Sequence, residues 1–289
     1  MIKNSSRKKR QEVAKPSVDA FKRKVWSYYR KAARTMPWRT EKGKVLLDYK
    51  VFVSEIMLQQ TQVSRVTRKY ESFLKRFPTV FALAEASKKD LLEEWQGLGY
   101  NRRALNMQKA AQVVSADYKG AFPRDLKKLD NMPGIGEATA AAILNYAFEI
   151  PVPFIETNIR RALIHHFFPK GRSVSDKRLL PLAKEALDEK NPREWHYALM
   201  DYGSFLARTV PNPNRKSSRY SKQSRFEGSR RQVRGRILRI LARRGHDSSG
   251  MPIADMYQHL GVSDHDLESI LSDMIEEGFI RKEGERISF

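Results

Sequence analysis

The stretch VSEIMLQQTQV, residues 53–63, combines one carboxylate, Glu55, with the amides of Gln59, Gln60 and Gln62. A carboxylic acid can exchange a proton with a reacting group, and each amide can both donate and accept hydrogen bonds. At about 100° per residue the apolar side chains of a helix here share one side, and Glu55 lies away from it. Those apolar residues are Val53, Ile56 and Met57. Glu55 is therefore a candidate acid facing a cleft, with a solvated helix residue as the alternative.

A second segment, LDNMPGIGEATAAAIL at 129–144, has the composition of an anion site. Two glycines two residues apart allow a sharp turn that exposes main-chain N–H groups at a helix N-terminus. The sequence predicts that this helix begins at Glu137 or Ala138. An ordinary helix–helix turn is the alternative, but the charge of the chain favours a hairpin that grips one DNA phosphate. The hairpin turn consists of Pro133, Gly134, Ile135 and Gly136.

The charge balance favours a polyanionic partner. The 289 residues include 55 Lys and Arg against 33 Asp and Glu, a net charge of +22. Nucleic acid is the first candidate, and an anionic membrane surface is the second. No apolar run approaches the roughly 18 residues of a membrane-spanning helix, so we expect no membrane association. The absence of cysteine excludes disulfides, cysteine nucleophiles and thiolate-bound metal centres.

Helices must position these groups. Residues 17–34 are predicted to form a helix with Ser17 as its N-cap, in which Trp26, Tyr28 and Tyr29 pack. Between residues 50 and 210 apolar positions recur at three- and four-residue spacing, with breaks at Gly and Pro, so this region is predicted to be mainly helical. Residues 1–16 are predicted to be a basic disordered tail, with nonspecific phosphate contact as the alternative. Residues 211–225 are predicted to be an extended basic linker.

The C-terminal residues 226–289 are predicted to form a winged-helix-like module. A basic helix is followed by a helix-turn-helix pattern and by FIRKEGERISF, a two-stranded wing. Residues 245–289 contain ten Asp and Glu against three Lys and Arg. The second helix of the helix-turn-helix pattern would have to enter the major groove, and the DNA phosphates would repel its acidic residues. A docking or protein-partner role for the module is therefore favoured over groove reading, with the basic helix available to touch DNA.

Six blocks of the chain occur together in one order and resemble the A/G-specific adenine DNA glycosylases (MutY). That family belongs to the helix-hairpin-helix superfamily, which includes endonuclease III. The resemblance runs from about Met36 to Tyr202. The blocks are MPWR (36–39), YKVFVSEIMLQQTQV (49–63), FPTVFALAEA (77–86), WQGLGYNRRALNMQKAA (95–111), MPGIGEATAAAIL (132–144) and FIETNIRRAL (154–163).

The resemblance implies a mainly α, two-lobed helix-hairpin-helix DNA glycosylase fold with the winged-helix-like module at its C-terminus. The target base would be flipped out of double-stranded DNA that carries a mismatch or a damaged base. The expected divisions are 17–39 plus 150–210 for the second helical lobe, and 40–149 for a six-helix barrel lobe with its hairpin at 125–147. We expect a monomer located in the cytoplasm at the nucleoid.

Particular residues take family roles by the resemblance. Glu55 matches the catalytic acid, and Glu156 stands at the second carboxylate. Residues that would contact DNA or the base opposite the excised one are Leu58, Gln59, Gln60, Thr61, Leu98, Tyr100 and Asn158. Residues that would line the base pocket are Trp38, Arg39, Tyr49 and Ala138.

The chain departs from the family at four points. Glu156 replaces the usual Asp, which moves the carboxylate outward by one methylene. Ala138 stands where lyase members have Lys, so Schiff-base chemistry there is excluded and a monofunctional enzyme is favoured. No cysteine is available for the family's iron–sulfur cluster. The acidic module occupies the place of the family's 8-oxoguanine-recognising domain.

The chemistry that follows needs two carboxylates in different environments. Glu55, partly desolvated, would protonate the leaving purine, while Glu156 stays ionised beside Arg160 or Arg161 and stabilises the sugar cation. An N-cap of the following helix is the alternative for Glu156. We expect no cofactor, and a monovalent cation at the hairpin remains an open alternative. Adjacent His165 and His166 are expected to pack or bond locally rather than bind metal.

Two rivals to adenine excision opposite 8-oxoguanine or guanine stay open. One is a related glycosylase for uracil or thymine opposite guanine, or for a damaged purine, because Ala138 and the unusual C-terminal region depart from the family. The other is a noncatalytic DNA-binding or regulatory protein. Retention of Glu55 and of a second carboxylate favours an enzyme.

Overall fold

The computed structural model of the protein describes residues 17–40, 46–222, 225–243, 250–260 and 264–289. The predicted tail, residues 1–16, and the predicted turn at 261–263 lie outside the described residues. Helices dominate the fold. In chain order they are α1 (Val18–Ala32), α2 (Leu47–Leu58), α3 (Val63–Arg76), α4 (Val80–Ala84), α5 (Lys88–Glu94), α6 (Arg102–Tyr118), α7 (Leu126–Asp130), α8 (Glu137–Phe148), α9 (Thr157–Phe167), α10 (Asp176–Glu185), α11 (Pro192–Thr209), α12 (Arg230–Arg243), α13 (Ile253–Leu260) and α14 (Asp264–Glu276).

The chain divides into two compact units that differ from the predicted divisions. The first unit joins the chain up to Arg34 with Pro153–Tyr220, and the second joins Thr35–Val152 with Ser221–Phe289. The 3-10 helix Pro37–Arg39 thus belongs with the barrel residues, because it contacts α2 and α3. The C-terminal residues also cluster with the barrel residues instead of forming a unit of their own.

The first unit is built around α11. The predicted N-cap of α1 is confirmed, since the Ala20 N–H donates to Ser17 Oγ at 3.1 Å. Phe21 of α1 is buried and meets the Trp195 ring edge-on at 6.3 Å. The predicted packing of the α1 aromatic residues is also confirmed. The ring centroids of Trp26 and Trp195 are 5.6 Å apart, and those of Tyr28 and Tyr202 are also 5.6 Å apart.

Helix α9 packs closely on α11 because residue 203 has no side chain. A Cβ atom at Gly203 would lie 2.2 Å from the main-chain oxygen of Asn158. Only glycine permits this approach of the two backbones. The first turn of α9 is therefore held directly against α11.

The predicted linker, residues 211–225, is folded over part of its length. Pro213–Lys216 form a 3-10 helix that packs on α9. The Asn214 side-chain amide donates to the Thr157 carbonyl at 3.0 Å, and Ser217 forms a bridge with Val174. These bonds make the segment part of the first unit.

In the second unit α2 is the central helix. Its apolar residues are almost wholly buried, and the small side chains of α8 pack against it. This packing follows from sequence, because alanine allows two helix backbones to approach closely. The buried residues of these two helices include Phe52, Val53, Ile56, Met57, Ala140, Ala141 and Ala142.

The C-terminal part of the second unit combines α12, α13 and α14 with a small antiparallel sheet. Its strands are β1 (Met251–Pro252), β2 (Arg281–Glu283) and β3 (Arg286–Ser288), in the order β1-β3-β2. The hairpin β2–β3 occurs where the two-stranded wing was predicted. Apolar residues of all three helices form the interior, including Ile237, Leu241, Met256, Leu267 and Met274. Within the described ranges, none of the helices is both long and apolar enough to cross a membrane.

Candidate active site

Glu55 occupies an accessible position on an otherwise buried helix. Its neighbours Ser54 and Ile56 are buried, whereas Glu55 itself is half-buried. Leu58, three residues further on and thus on the same face of α2, is also half-buried. The predicted separation of Glu55 from the apolar side of the helix is confirmed. Glu55 and Leu58 therefore share one partly open strip at the end of α2.

The turn after α2 contains two amides in different situations. The Gln59 side chain donates to the Gly134 carbonyl at 3.2 Å and to Thr139 Oγ1 at 3.1 Å. Gln59 thus connects α2 to the hairpin. Gln60 is exposed and has a positive φ of 54°, a conformation that costs a non-glycine residue free energy. Of the amides predicted to contact DNA, Gln60 is the one presented at the tip of the turn.

The second predicted contact loop is Gly97–Tyr100. Both of its glycines have positive φ, 92° at Gly97 and 72° at Gly99, and Tyr100 has a φ of 47°. Leu98 is only 2% exposed, so it serves as an anchor of the loop in this structure, whereas Tyr100 is half-exposed. The contact with DNA expected for Leu98 stays a prediction, and the side chain would have to become exposed to make it. Tyr100 is the accessible residue of the loop.

Arg103 joins the two loops, and the sequence analysis did not identify it. Its Nη1 donates to the carbonyls of Ile56 at 2.9 Å and Met57 at 2.8 Å. Its Nη2 donates to Thr61 Oγ1 at 2.8 Å and to the Gly99 carbonyl at 2.9 Å. The guanidinium group has five N–H donors in a rigid plane, which suits several carbonyls at once. Arg103 therefore fixes the end of α2 relative to the Gly97–Tyr100 loop.

The environment of Arg103 is also unusual. Its guanidinium carbon lies 5.2 Å from the centroid of Trp95 and 5.7 Å from that of Tyr100. Burial lowers its pKa to about 10, which still leaves it charged at neutral pH. The neighbouring Arg102 is mostly exposed. Nothing in the dipeptide Arg102-Arg103 itself distinguishes the residue that is buried.

The predicted hairpin is present, and α8 begins at Glu137 with Gly136 as its N-cap. Gly134 has a φ of 77°, and a Cβ atom there would lie 2.7 Å from Asn106 Cβ. By contrast, a Cβ atom at Gly136 would meet no atom within 4 Å. Gly134 is thus required by the fold, while Gly136 leaves open space in front of a helix N-terminus. Such a terminus attracts anions.

The predicted base-pocket residues occupy different environments. Tyr49 is 1% exposed and donates its hydroxyl to the Phe77 carbonyl at 2.6 Å. Burial raises its pKa above the usual value. Trp38 is buried with its ring edge-on to Tyr70 at 5.5 Å. Arg39 and Ala138 are half-buried, so they are the predicted pocket residues with accessible surface.

Glu156 lies in the first unit and caps α9. Its Oε1 accepts hydrogen bonds from the N–H groups of Asn158 at 2.5 Å and Ile159 at 2.7 Å. This is the N-cap geometry that the sequence left as the alternative reading of the residue. The Asn158 side chain contributes a longer bond to Oε2 at 3.4 Å. The carboxylate therefore has a structural role in this unit.

Opposing effects act on the pKa of the Glu156 carboxyl group. Burial, the largest effect, raises the pKa of the carboxyl, and the two main-chain N–H donors and both arginines oppose it. Arg160 forms a bidentate pair with Asp176, at 2.8 and 2.9 Å. Arg161 donates to Asn158 Oδ1 at 2.7 Å and to the Gly203 carbonyl at 2.9 Å. Because the arginines bind other groups, they influence Glu156 only through space.

The histidines bond locally, as the sequence predicted. His166 Nε2 lies 2.8 Å from the Tyr202 hydroxyl, and burial together with His165 lowers the pKa of His166 to about 4. In the part of the chain that the structure describes, no group of three or more side chains is arranged to hold a metal ion. An iron–sulfur cluster does not fit the chain, because no cysteine is present to bind it.

Comparison with solved structures identifies the fold. The structure of a thermostable thymine-DNA glycosylase superposes with a TM-score of 0.58 and 23% sequence identity, covering 70% of this chain and 90% of that one. This likeness defines the class: the fold is that of the helix-hairpin-helix DNA glycosylases.

Comparison of sequences identifies the family. The model of the "HhH-GPD superfamily base excision DNA repair protein" family matches residues 53–185. The adenine DNA glycosylase of Mycolicibacterium smegmatis is 31% identical over 233 residues, which cover 74% of this chain and 78% of that protein. The chain belongs to the HhH-GPD superfamily of base excision DNA repair proteins.

A second relative shows how far the likeness extends. The adenine DNA glycosylase of Buchnera aphidicola subsp. Baizongia pistaciae is 33% identical over 183 residues, which cover 62% of this chain and 50% of that protein. The chain thus spans about half the length of that relative. The match to the family model, residues 53–185, contains Glu55, both loops, the hairpin and Glu156.

Proposed function

We propose that the protein is a monofunctional DNA glycosylase that flips adenine out of a mispair with 8-oxoguanine or guanine and hydrolyses its N-glycosidic bond. The observation that carries the proposal is the arrangement around Glu55. A half-buried carboxylate sits immediately before an exposed turn, and Arg103 and Gln59 tie that turn to the second loop and to the hairpin. Adenine is proposed as the excised base because the sequence relatives are named adenine DNA glycosylases.

In the proposed reaction Glu55 protonates the purine ring as its bond to the sugar breaks. Partial burial favours the neutral form of a carboxylic acid, which is the form that can donate a proton. Glu156, in its ionised form, stabilises the cationic sugar or orients the attacking water. The reaction consumes one water and yields free base and an abasic site.

We further propose that the hairpin binds a DNA phosphate and that the enzyme works without a cofactor as a monomer. Open space in front of Gly136 supports the phosphate site. Ala138 offers no amine at the position where lyase members carry lysine, so the DNA strand stays intact after base release. Strand breaks should therefore appear only when alkali is added to the product.

The proposal is tested by single-turnover base release from duplexes with each candidate base opposite each partner, followed by alkali. Adenine should be released opposite 8-oxoguanine or guanine. Inactivity on every adenine-containing duplex would refute the adenine assignment, and strand breakage without alkali would refute the monofunctional assignment. Activity that persists at full rate after treatment with a chelator supports the cofactor-free reaction.

A second candidate is excision of uracil or thymine opposite guanine, or of a damaged purine. Ala138 favours it, because a small half-buried side chain at this position leaves room for a different base. The same panel of duplexes separates the two candidates, since release of uracil or thymine in preference to adenine selects the second.

A further inference from the structure

Helix α12 of the C-terminal module contacts Tyr100, the last residue of the second loop. Arg231 Nη1 donates to the Tyr100 hydroxyl at 2.8 Å, and the guanidinium carbon lies 5.7 Å from the centroid of the Tyr100 ring. Arg103 lies at the same distance, 5.7 Å, from that centroid. Two guanidinium groups, one from the barrel residues and one from the module, therefore attract a single aromatic ring by cation–π interaction.

A second contact fixes the module beside this loop. Glu277, in the turn directly after α14, accepts from Arg102 of α6 at 2.8 Å and also from Arg234 of α12. Burial raises the pKa of Glu277, but the hydrogen bonds and charges of Arg234 and Arg102 together outweigh it, so the pKa lies below its usual value. The shared carboxylate joins the module to the start of α6, next to Tyr100. The position of α12 is thus supported by two independent contacts within the same compact unit.

These pairs also change the charge that the module presents. In the sequence, the six acidic residues of 264–277 made an approach to DNA unfavourable. The structure uses Glu277 for the arginine pair just described and Asp273 for Arg230, at 2.8 Å. Further along α12, Arg236, Arg239 and Arg243 are exposed. Helix α12 therefore contains six arginines and no acidic residue, and Asp273 and Glu277 pair with two of these arginines.

We propose that α12 is part of the DNA interface and that Arg231 binds a backbone phosphate beside the point where Tyr100 meets the duplex. This inference rests on the proposed function, because DNA is the partner in both. A guanidinium group binds phosphate with its planar set of donors. Since Arg231 is already positioned by the Tyr100 hydroxyl, both residues act as one unit on the DNA.

The test is a double-mutant cycle on DNA affinity. The probe is a duplex with a tetrahydrofuran abasic-site analogue opposite guanine, which contains no base to release. Arg231→Gln should weaken binding about tenfold, as expected for one charged hydrogen-bonding group. It should also reduce the slope of affinity against salt by about one. Tyr100→Phe keeps the ring but removes the hydroxyl, and the two changes together should cost less than the sum of each alone.

Two further variants complete the design. Arg231→Lys keeps the charge and should restore the salt slope without restoring full affinity, because lysine lacks the planar donor set. Arg239→Gln is the matched control: it removes one exposed arginine two turns further along the same helix and should weaken binding less than Arg231→Gln. Thermal unfolding of each variant confirms that the fold is retained.

The outcomes separate this inference from the proposed function. Unchanged affinity in Arg231→Gln, or a loss equal to that of Arg239→Gln, would overturn the inference. Tighter binding would also overturn it, since the module would then hold Tyr100 away from DNA. If the protein releases no adenine but Arg231→Gln weakens binding as described, the interface stands and the enzymatic proposal fails.

Discussion

The surroundings of Glu55 and those of Glu156 show two ways of holding a carboxylate. Glu55 lies on α2, whose end is fixed by bonds from distant parts of the same unit, from Arg103 and through Gln59. Glu156 is held by the first N–H groups of its own helix. The first carboxylate depends on tertiary contacts for its position, and the second depends on local ones. Substitutions in each region should therefore have different consequences.

The largest effect is expected at Glu55. Glu55→Gln removes the proton donor but keeps the size of the side chain, so base release should fall by about 10³-fold. Affinity for the abasic-analogue duplex should change little. Single-turnover rates and titrations measure both quantities, and Glu71→Gln, an exposed glutamate on α3, is the control. Undiminished base release in Glu55→Gln would remove this residue from the chemistry.

The second largest effect is expected at Arg103, whose hydrogen bonds fix the region around Glu55. Arg103→Met leaves the carbonyls at the end of α2 and in the second loop without their donor, and the free energy of unfolding should fall by about 3 kcal/mol. Urea titration measures the loss. Arg68→Met on the exposed face of α3 should change stability little. Equal stability in both variants would mean that the loops are held in some other way.

The close contact of α9 with α11 supports the Glu156 region, as Arg103 supports the Glu55 region. Gly203→Ala places a methyl group 2.2 Å from the Asn158 oxygen, and the strain should lower the free energy of unfolding by about 2 kcal/mol. Gly235→Ala in α12, where a Cβ meets no atom within 4 Å, should instead stabilise the helix by up to about 1 kcal/mol. Thermal or urea unfolding of the pair decides the question; a stable Gly203→Ala protein would contradict the packing argument.

Alanine substitutions at the two hairpin glycines, Gly134 and Gly136, should also have different consequences, but with smaller effects on stability. Gly134→Ala puts a residue with a side chain into a left-handed backbone conformation, at a cost of about 1–2 kcal/mol. It also brings the new methyl group too close to Asn106. Gly136→Ala should leave stability within about 0.5 kcal/mol but weaken DNA binding, because its methyl group enters the space proposed for the phosphate. If Gly136→Ala binds DNA as tightly as the unchanged protein, the phosphate site lies elsewhere.

The smallest effect is a pH dependence of stability from Glu156. Its pKa is raised in the folded protein from the ordinary 4.5, so the protonated form stabilises the fold. That contribution is complete below pH 4.5 and is lost as pH rises through the folded pKa. Glu156→Gln keeps an acceptor for the N–H groups but cannot ionise. The free energy of unfolding of the variant relative to the unchanged protein should therefore increase between pH 4.5 and pH 8, and a constant difference would argue against the raised pKa.

The amphipathic pattern and the capping residues were enough to predict several elements. Ser17 caps α1, α8 starts at Glu137, and the two strands predicted in FIRKEGERISF form the hairpin β2–β3. These features depend on neighbours within a few residues, so they are visible in sequence. The same is true of the capping role left open for Glu156, since a carboxylate before a helix meets the first N–H groups by local geometry alone.

Other features required contacts between distant residues. Arg102 and Arg103 are identical in type, yet one is exposed beside Glu277 and the other is half-buried between two loops. Leu98 aligns with a DNA-contacting position but is buried. The acidic residues of 264–277 predict repulsion of DNA when they are counted in sequence, but Glu277 and Asp273 form ion pairs with arginines in the structure.

By itself the sequence determined the helical class, the resemblance to a family of DNA repair glycosylases, and the carboxylates and glycines that belong to its chemistry. These follow from residue type and from spacing along one helix or turn. The tertiary structure alone decided which arginine fixes the loops, which loop residue reaches the surface, and where the C-terminal module docks. Such choices depend on burial and on hydrogen bonds between residues as distant in sequence as Tyr100 and Arg231 or Arg102 and Glu277, and short-range sequence patterns do not encode such contacts.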